Sequence, residues 1–414
     1  MRRSKRESKH RIAIERILEG RNGLVDLNAL RALAVEAGGF MTNALRQRAW
    51  PLLLGIDRSA KRDTRQLDLS SHRDARQVSL DIPRSLFHFD AMKRVSVEEL
   101  RRQQARLGDV VNTVLVRHPR LNYLQGFHDV CSIPLLVSGS DVATATTWAE
   151  TLAVAYFETA LRSSITPIVE QVGLLDVLVR HADAELAEYI VRSGVQPFFA
   201  VSWVITWFAH NFAGLAPLTR VWDVLIGAHP MMSLYVSAAL VLQLRPRIMA
   251  AECEHTVLHA LLQRPPVDDL PGGGVDELVR RAAALFADFP PARLEERVRR
   301  GATPSPTALA SLPTVRPNPH LLVTQPSDAA LSRAARDGRR RQRRPASGSE
   351  AHVAARPAKQ RRRTTRAHHF LCSRPAKGSP QRALHDLIYL LIATYTSALI
   401  YASLRHIVRL PRSG

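Results

Sequence analysis

Apolar residues recur at helical spacing through most of the chain, and the clearest run is Leu100, Leu107, Val110, Val111, Val114 and Leu115. A second apolar block covers residues 130–137, and between the two lies a polar, turn-prone insert at residues 117–129. The insert predicts a helix-to-helix corner. Pro119 stops the first helix, Asn122 is a good N-cap for the second, and Gln125 and His128 fall within the second helix's first turn and a half. That is the positive end of the helix dipole, a suitable place for groups that touch phosphate.

The same reading extends along the chain. Ile12, Ile14, Ile17 and Leu18 predict a short amphipathic helix closed by Gly20, and Asp26 caps a second one carrying Leu27, Leu30, Leu33 and Ala34. Thr42 caps a third, with Pro51 as its stop, and residues 56–76 lack periodicity and read as an exposed loop. Pro83 cannot continue a preceding helix, so Arg84 is expected at a bend. Ser96 and Glu99 form a capping box for a helix to Arg117, and Asp141 opens another to about Leu161. One or two helices follow over 165–190, then a buried helix over 202–208. Residues 195–219 hold no Asp, Glu, Lys or Arg, but Pro197, Ser202, Thr206, Asn211, Gly214 and Pro217 argue against a membrane span there. Helices continue over 230–244, 253–262 and 275–289, and Pro290-Pro291 closes the folded part. Strand signals are nearly absent, so the expected fold class is all-α.

Composition changes this picture mainly at the C-terminal end. The net charge of +21 is concentrated, since residues 331–380 carry 15 Lys and Arg against 2 acidic residues. The composition from Thr303 onward, rich in Pro, Ser, Ala and Arg, predicts a disordered basic linker over residues 301–382. Attraction to anionic lipid fits its charge, whereas nucleic-acid binding is poorly supported because no aromatics interleave the arginines. Residues 387–404 hold eighteen positions without a charge. As a helix they would extend about 27 Å, enough for a thin bilayer. Residues 383–414 are therefore expected to form a C-terminal tail anchor, with the arginines before it on the cytosolic side. Cys131, Cys253 and Cys372 are too few and scattered for a disulfide framework, which favours a reducing compartment, and no secretory signal is visible.

Most other chemistries find little support. Cys253, His255 and His259 lack a second ligand pair at zinc-site spacing, and Gly272-Gly273-Gly274 lacks the Gly-Lys-Ser/Thr of a phosphate loop. Four stretches do carry a pattern. They are Gly38–Gly55, with Leu45-Arg46 and Trp50-Pro51; Val78–Ser85, with Asp81 and Arg84; Asn122–Asp129, with Tyr123, Gln125, Gly126, His128 and Asp129; and Leu218–Leu225, with Arg220, Trp222 and Asp223. Together they resemble TBC-domain proteins, which activate GTP hydrolysis by Rab GTPases, and most closely the tail-anchored endoplasmic-reticulum members. The second stretch is similar to the arginine-finger pattern Ile-x-x-Asp-x-x-Arg-Thr, with Val78 for Ile and Ser85 for Thr. The third is similar to the glutamine-finger motif, with Leu124 at a variable position.

This resemblance implies an all-helical, V-shaped domain over residues 38–300, preceded by an N-terminal helical extension over 1–37. It implies that Arg84 neutralises charge developing on the transferred phosphoryl and that Gln125 positions the attacking water. Asp81 orients the arginine or its loop. Tyr123, Gly126, His128 and Asp129 support the glutamine motif, while Trp50, Arg220, Trp222 and Asp223 form a structural cluster. The partner is a Rab-family GTPase that brings GTP and Mg²⁺ with it, so no cofactor belongs to this chain. The chain would be an activator and no hydrolase by itself, on the cytosolic face of the endoplasmic-reticulum membrane, with Golgi or the mitochondrial outer membrane as alternatives. The rival function is a catalytically silent Rab-binding scaffold at the membrane.

Overall fold

Side-chain caps set most of the early helix starts, because a helix leaves its first N–H groups without partners. Asp26, Thr42, Ser96, Asp141 and Asp183 each accept a hydrogen bond from the backbone of the turn that follows. A computed structural model describes residues 2–20, 24–56 and 67–300. Within them the helices are α1 (Arg2–Glu19), α2 (Leu27–Val35), α3 (Asn43–Leu53), α4 (Ala75–Asp81), α5 (Val97–Arg117), α6 (Phe127–Val137), α7 (Val142–Ala155) and α8 (Thr166–Ala182). They continue with α9 (Ala184–Arg192), α10 (Val201–Ile205), α11 (Leu215–Gly227), α12 (Met232–Gln243), α13 (Arg245–Ala250), α14 (His255–Gln263), α15 (Gly274–Asp288) and α16 (Pro291–Arg299). Among the described residues no β-strand element occurs, as the all-α expectation requires.

Two helices are buried on almost every side, which fits their lack of a polar face. One is α6, enclosed by α5, α7 and α3; the other is α12, enclosed by α8, α15, α10 and α11. The helix α11 connects the groups, packing on α2, α3, α12 and α15. At the N-terminal end, α1 and α2 pack on each other and on α3. His10 hydrogen-bonds the Gly39 carbonyl at 2.8 Å and lies 3.3 Å from the Glu36 carboxylate, fastening α1 to the turn before α3.

Several boundaries differ from the sequence reading. Pro51 lies inside α3, which runs two residues further, because a proline in the last turn removes only one hydrogen bond. The helix α7 ends at Ala155, and the following segment to Ile165 is turns. The buried helix expected over 202–208 stops at Ile205. Trp207 and Phe208 then take left-handed backbone angles (φ 47° and 65°), and the freed Trp207 carbonyl accepts from the Trp222 indole at 3.0 Å. Pro290-Pro291 does not close the fold: Pro291 is the first residue of α16, where its missing N–H is no loss, and Leu294 and Val298 are buried. Among the described residues no helix is long and apolar enough to cross a membrane, and the anchor expected at 387–404 and the linker over 301–382 lie outside those residues.

Candidate functional site

The segment bearing Arg84 is a helix tightened at its end. The helix α4 gives way at Ile82 to a 3-10 turn, Ile82–Arg84, with Pro83 in its middle. Ser85 Oγ donates to the Ile82 carbonyl at 2.6 Å, and Gln104 Nε2, from α5, donates to the Pro83 and Ser85 carbonyls at 3.1 Å each. The backbone around Arg84 is thus held from beneath. The guanidinium reaches back to the buried Asp81 carboxylate, yet 40% of the Arg84 side chain remains exposed.

The glutamine segment is built differently from the expectation. Asn122 does not cap α6: its N–H and side-chain amide donate to the Leu161 carbonyl at 2.7 and 3.4 Å, and its Oδ1 accepts from Arg73 at 2.7 Å. The residue at the cap position is Gly126, with φ 104°, and a Cβ built on it would stand 3.0 Å from Thr206 Cγ2. Glycine is the residue that fits both the left-handed angle and the space. Gln125 therefore precedes α6 and lies outside its first turn, although His128 and Asp129 lie within it. Gln125 is half-buried, and its carboxamide makes no hydrogen bond with the described residues.

The two segments are stitched together. Arg73 donates to the Pro119 carbonyl at 2.6 Å and the Leu121 carbonyl at 2.8 Å, and the buried His72 ring contacts the same Leu121 carbonyl at 3.1 Å. Tyr123 N–H donates to Asp74 Oδ2 at 2.8 Å, and Tyr123 O–H donates to Asp81 Oδ2 at 2.9 Å. Asp81 thus takes Arg84 on one oxygen and Tyr123 on the other, so one buried carboxylate joins the arginine segment to the glutamine segment. Part of the stretch read as an exposed loop over 56–76 is in this junction, because His72, Arg73 and Asp74 face the corner. Residues 57–66 lie outside the described residues.

Behind Tyr123 the polar chain continues inward. Tyr123 has one proton and gives it to an acceptor-only carboxylate, so His128 Nδ1, 2.7 Å from the phenol oxygen, is the donor in that contact. The other His128 nitrogen, Nε2, lies 3.4 Å from Asp129 Oδ1, and His210 Nδ1 lies 2.9 Å from Asp129 Oδ2. Burial, and then the nearby Asp81 charge, raise the Tyr123 phenol well above its ordinary value, which keeps it a donor. At Asp129 burial opposes ionisation, but the His128 charge and the hydrogen bond and charge of His210 outweigh it and hold the carboxyl well below the usual range. Burial pushes His210 down, while its hydrogen bond and charge contact with Asp129 overcome that and raise it.

The structural cluster lies elsewhere, at the start of the domain. Asp223 is fully buried and accepts four hydrogen bonds, from Arg46 Nε at 2.9 Å, Arg46 Nη2 at 3.0 Å, Trp50 Nε1 at 2.9 Å and the Phe40 N–H at 3.0 Å. Arg220 donates to the carbonyls of Ala34, Val35 and Glu36, collecting the free carbonyls at the end of α2, and also to Asp276. A Cβ on Gly39 would stand 2.5 Å from Asp223 Oδ2, so the glycine before Phe40 lets the backbone approach the carboxylate.

Sequence reasoning named Arg84, Gln125 and their immediate motif neighbours, quoted Arg46 in the entry stretch without giving it a role, and missed Arg73, Asp74, Gln104 and His210. Arg46 carried a usable signal, being one helical turn before Trp50 on α3. Asp129 and His210 stand 81 positions apart, and nothing local announces their contact. Among the described residues no group of three His, Cys, Asp or Glu side chains is placed to hold a metal ion.

The chain is 31% identical over 271 residues to TBC1 domain family member 20 of Mus musculus, an alignment covering 65% of this chain and 65% of that protein. It is 28% identical to GTPase-activating protein gyp10 of Schizosaccharomyces pombe over 64% of this chain and 70% of that one. The chain thus spans slightly under two thirds of the mouse relative's length. The solved Ypt/Rab-GAP domain of Gyp1p shares the fold, with a TM-score of 0.51 at 17% identity, over 66% of this chain and 96% of that structure. The family model described as the Rab-GTPase-TBC domain matches residues 43–249, half of the chain and the region that contains both stitched motifs, so the chain belongs to the Rab-GTPase-TBC domain family.

Proposed function

We propose that this protein is a GTPase-activating protein for a Rab-family GTPase and that Arg84 and Gln125 enter the partner's active site together. The observation that carries the reading is the Asp81 carboxylate, which binds the Arg84 guanidinium and the Tyr123 hydroxyl at once. A catalytic arginine and a catalytic glutamine acting on one γ-phosphate must hold a fixed separation, and this junction supplies it. Arg84 is half-exposed, and Gln125 has no hydrogen-bond partner among the described residues.

The division of labour follows from charge and geometry. Phosphoryl transfer spreads negative charge over the departing oxygens, and a guanidinium placed against them in a site without water stabilises that charge far more than it would in solvent. Asp81 keeps Arg84 oriented until the GTPase arrives. The carboxamide of Gln125 offers both a donor and an acceptor, the combination that orients an attacking water. GTP and Mg²⁺ belong to the partner. The C-terminal segment, with residues 387–404 as anchor, is proposed to hold the protein on a cytosolic membrane face, of the endoplasmic reticulum or Golgi, with the mitochondrial outer membrane as the alternative.

The test is GTP hydrolysis by a panel of purified Rab GTPases with the full chain added in catalytic amounts. The expected result is acceleration of hydrolysis by one or a few members. Binding to GTP-loaded Rabs with no acceleration of any of them would replace the activator by the silent scaffold.

A further inference from the structure

Along the chain Arg84 is bracketed by two large apolar residues that the fold leaves in solvent. Leu80 is 56% exposed and Phe87 is 49% exposed, whereas Val78, Leu86 and Phe89 around them are buried. Leu80 stands four residues before Arg84, about one turn earlier on α4 and its 3-10 continuation, whose tighter winding turns Arg84 toward Asp81. On the other side the chain takes a left-handed angle at Leu86 (φ 72°), a conformation unusual for leucine. The result is that Leu86 turns inward while the next residue, Phe87, faces out. Ser85 and Phe89 are buried on either side, and His88 bonds the Ala209 carbonyl at 2.8 Å, so Phe87 is presented from a fixed backbone.

We propose that Leu80 and Phe87 are the apolar grip by which this protein holds its GTPase, closing on an apolar patch beside the partner's triphosphate while Arg84 enters between them. The occupant follows from continuity: whatever GTPase surface surrounds a phosphate reached by Arg84 lies against these two residues. The inference rests on the reading of Arg84 as a finger. It assigns a different job to its neighbours, which contribute to binding the ground state and the transition state alike. Such residues set KM and leave kcat unchanged.

The experiment compares the full chain with Leu80→Ser, Phe87→Ser, the double variant, Arg84→Ala, and Val191→Ser as a control at an equally exposed valine on α9. Hydrolysis is followed across activator concentration with a Rab that the unaltered chain stimulates. Binding is measured in parallel to Rabs loaded with a non-hydrolysable GTP analogue. The expected result is a KM about tenfold higher for each single variant, and higher again for the double, with kcat within twofold of wild type, as roughly half of a large apolar side chain is released from contact. Val191→Ser should match wild type, and urea midpoints of the grip variants should be unchanged.

A double variant with wild-type KM and affinity overturns the grip and leaves the finger reading intact. A loss confined to kcat also overturns it. If the wild-type chain binds a Rab without accelerating hydrolysis, and the double variant loses that binding, the finger reading falls, while Leu80 and Phe87 stand as the GTPase-binding contact. Failure of the wild-type chain to bind any Rab counts against both.

Discussion

Tyr123→Phe removes one oxygen from the point where the two motifs meet. The ring packing is retained, but Asp81 Oδ2 loses a donor at 2.9 Å and His128 Nδ1 loses an acceptor at 2.7 Å, both in buried surroundings. A hydrogen bond to a carboxylate contributes about 1.5–3 kcal/mol and one between neutral groups about 0.5–1.5 kcal/mol, so the variant should be about 2–4 kcal/mol less stable. Asp81 keeps Arg84 as its partner, with Gln77 at 3.5 Å, so the domain should still fold. What changes is the coupling between Arg84 and Gln125. If their separation loosens enough to weaken transition-state contacts by as little as about 1.4 kcal/mol, kcat falls about tenfold. Urea unfolding followed by circular dichroism measures the first quantity, and single-turnover GTP hydrolysis with a responsive Rab measures the second. The expected outcome is a lowered midpoint, kcat down about tenfold or more, and KM within a few fold of wild type. A variant with wild-type stability and wild-type kcat would refute the claim that this hydroxyl couples the motifs.

Asp223→Ala should be among the most damaging substitutions in the domain, because it strands the buried Arg46 guanidinium and the Trp50 indole N–H. A loss of about 3–5 kcal/mol is expected, or no soluble folded protein, read by urea unfolding. Gly126→Ala should destabilise the domain by more than about 1 kcal/mol, because alanine at φ 104° is strained and its Cβ meets Thr206 Cγ2 at 3.0 Å. Thr206→Ser in the same chain should recover only the steric part. The Asp129–His210 contact gives a pH signature. Asp129 is lowered, so its contribution is present above about pH 4 and lost on acidification through its folded value; His210 is raised, so its contribution is complete below about pH 6.5 and lost as pH rises through its folded value. His88, pushed down by burial, works in the opposite sense, as its stabilising effect grows with rising pH. The difference in unfolding free energy between wild type and His210→Asn should therefore shrink between pH 6.5 and 8.5; a constant difference would contradict the pairing.

The extent to which the sequence disclosed this site depended on how local each feature is. The helix from Val97 to Arg117 was legible to its last residue, because a capping box and a clean apolar stripe are both written within one element. Pro83 announced a change of backbone at Arg84, but as a bend, whereas the helix carries on through Pro83 as a 3-10 turn that ends at Arg84. The start of α6 was not, since Asn122 is a good cap by type, but its N–H and side-chain amide are taken by the Leu161 carbonyl, 39 positions away. The break at Trp207 and Phe208 was hidden in a run of uniformly apolar residues, where periodicity does not distinguish one long helix from two short pieces. Pro290-Pro291 looked like a terminus, although a proline pair begins a helix as readily as it ends one. The junction through Arg73, Asp74 and Asp81 required knowing which loops meet, and that is a property of the packed helices.

The most direct test of the central claim is single-turnover GTP hydrolysis by a Rab that the wild-type chain accelerates, repeated with Arg84→Ala and with Gln125→Ala at matched unfolding stability. Loss of about 10³-fold or more in the stimulated rate for Arg84→Ala is expected, in line with the usual contribution of an arginine supplied in trans, together with a large loss for Gln125→Ala. Hydrolysis by Arg84→Ala within threefold of wild type would contradict the account.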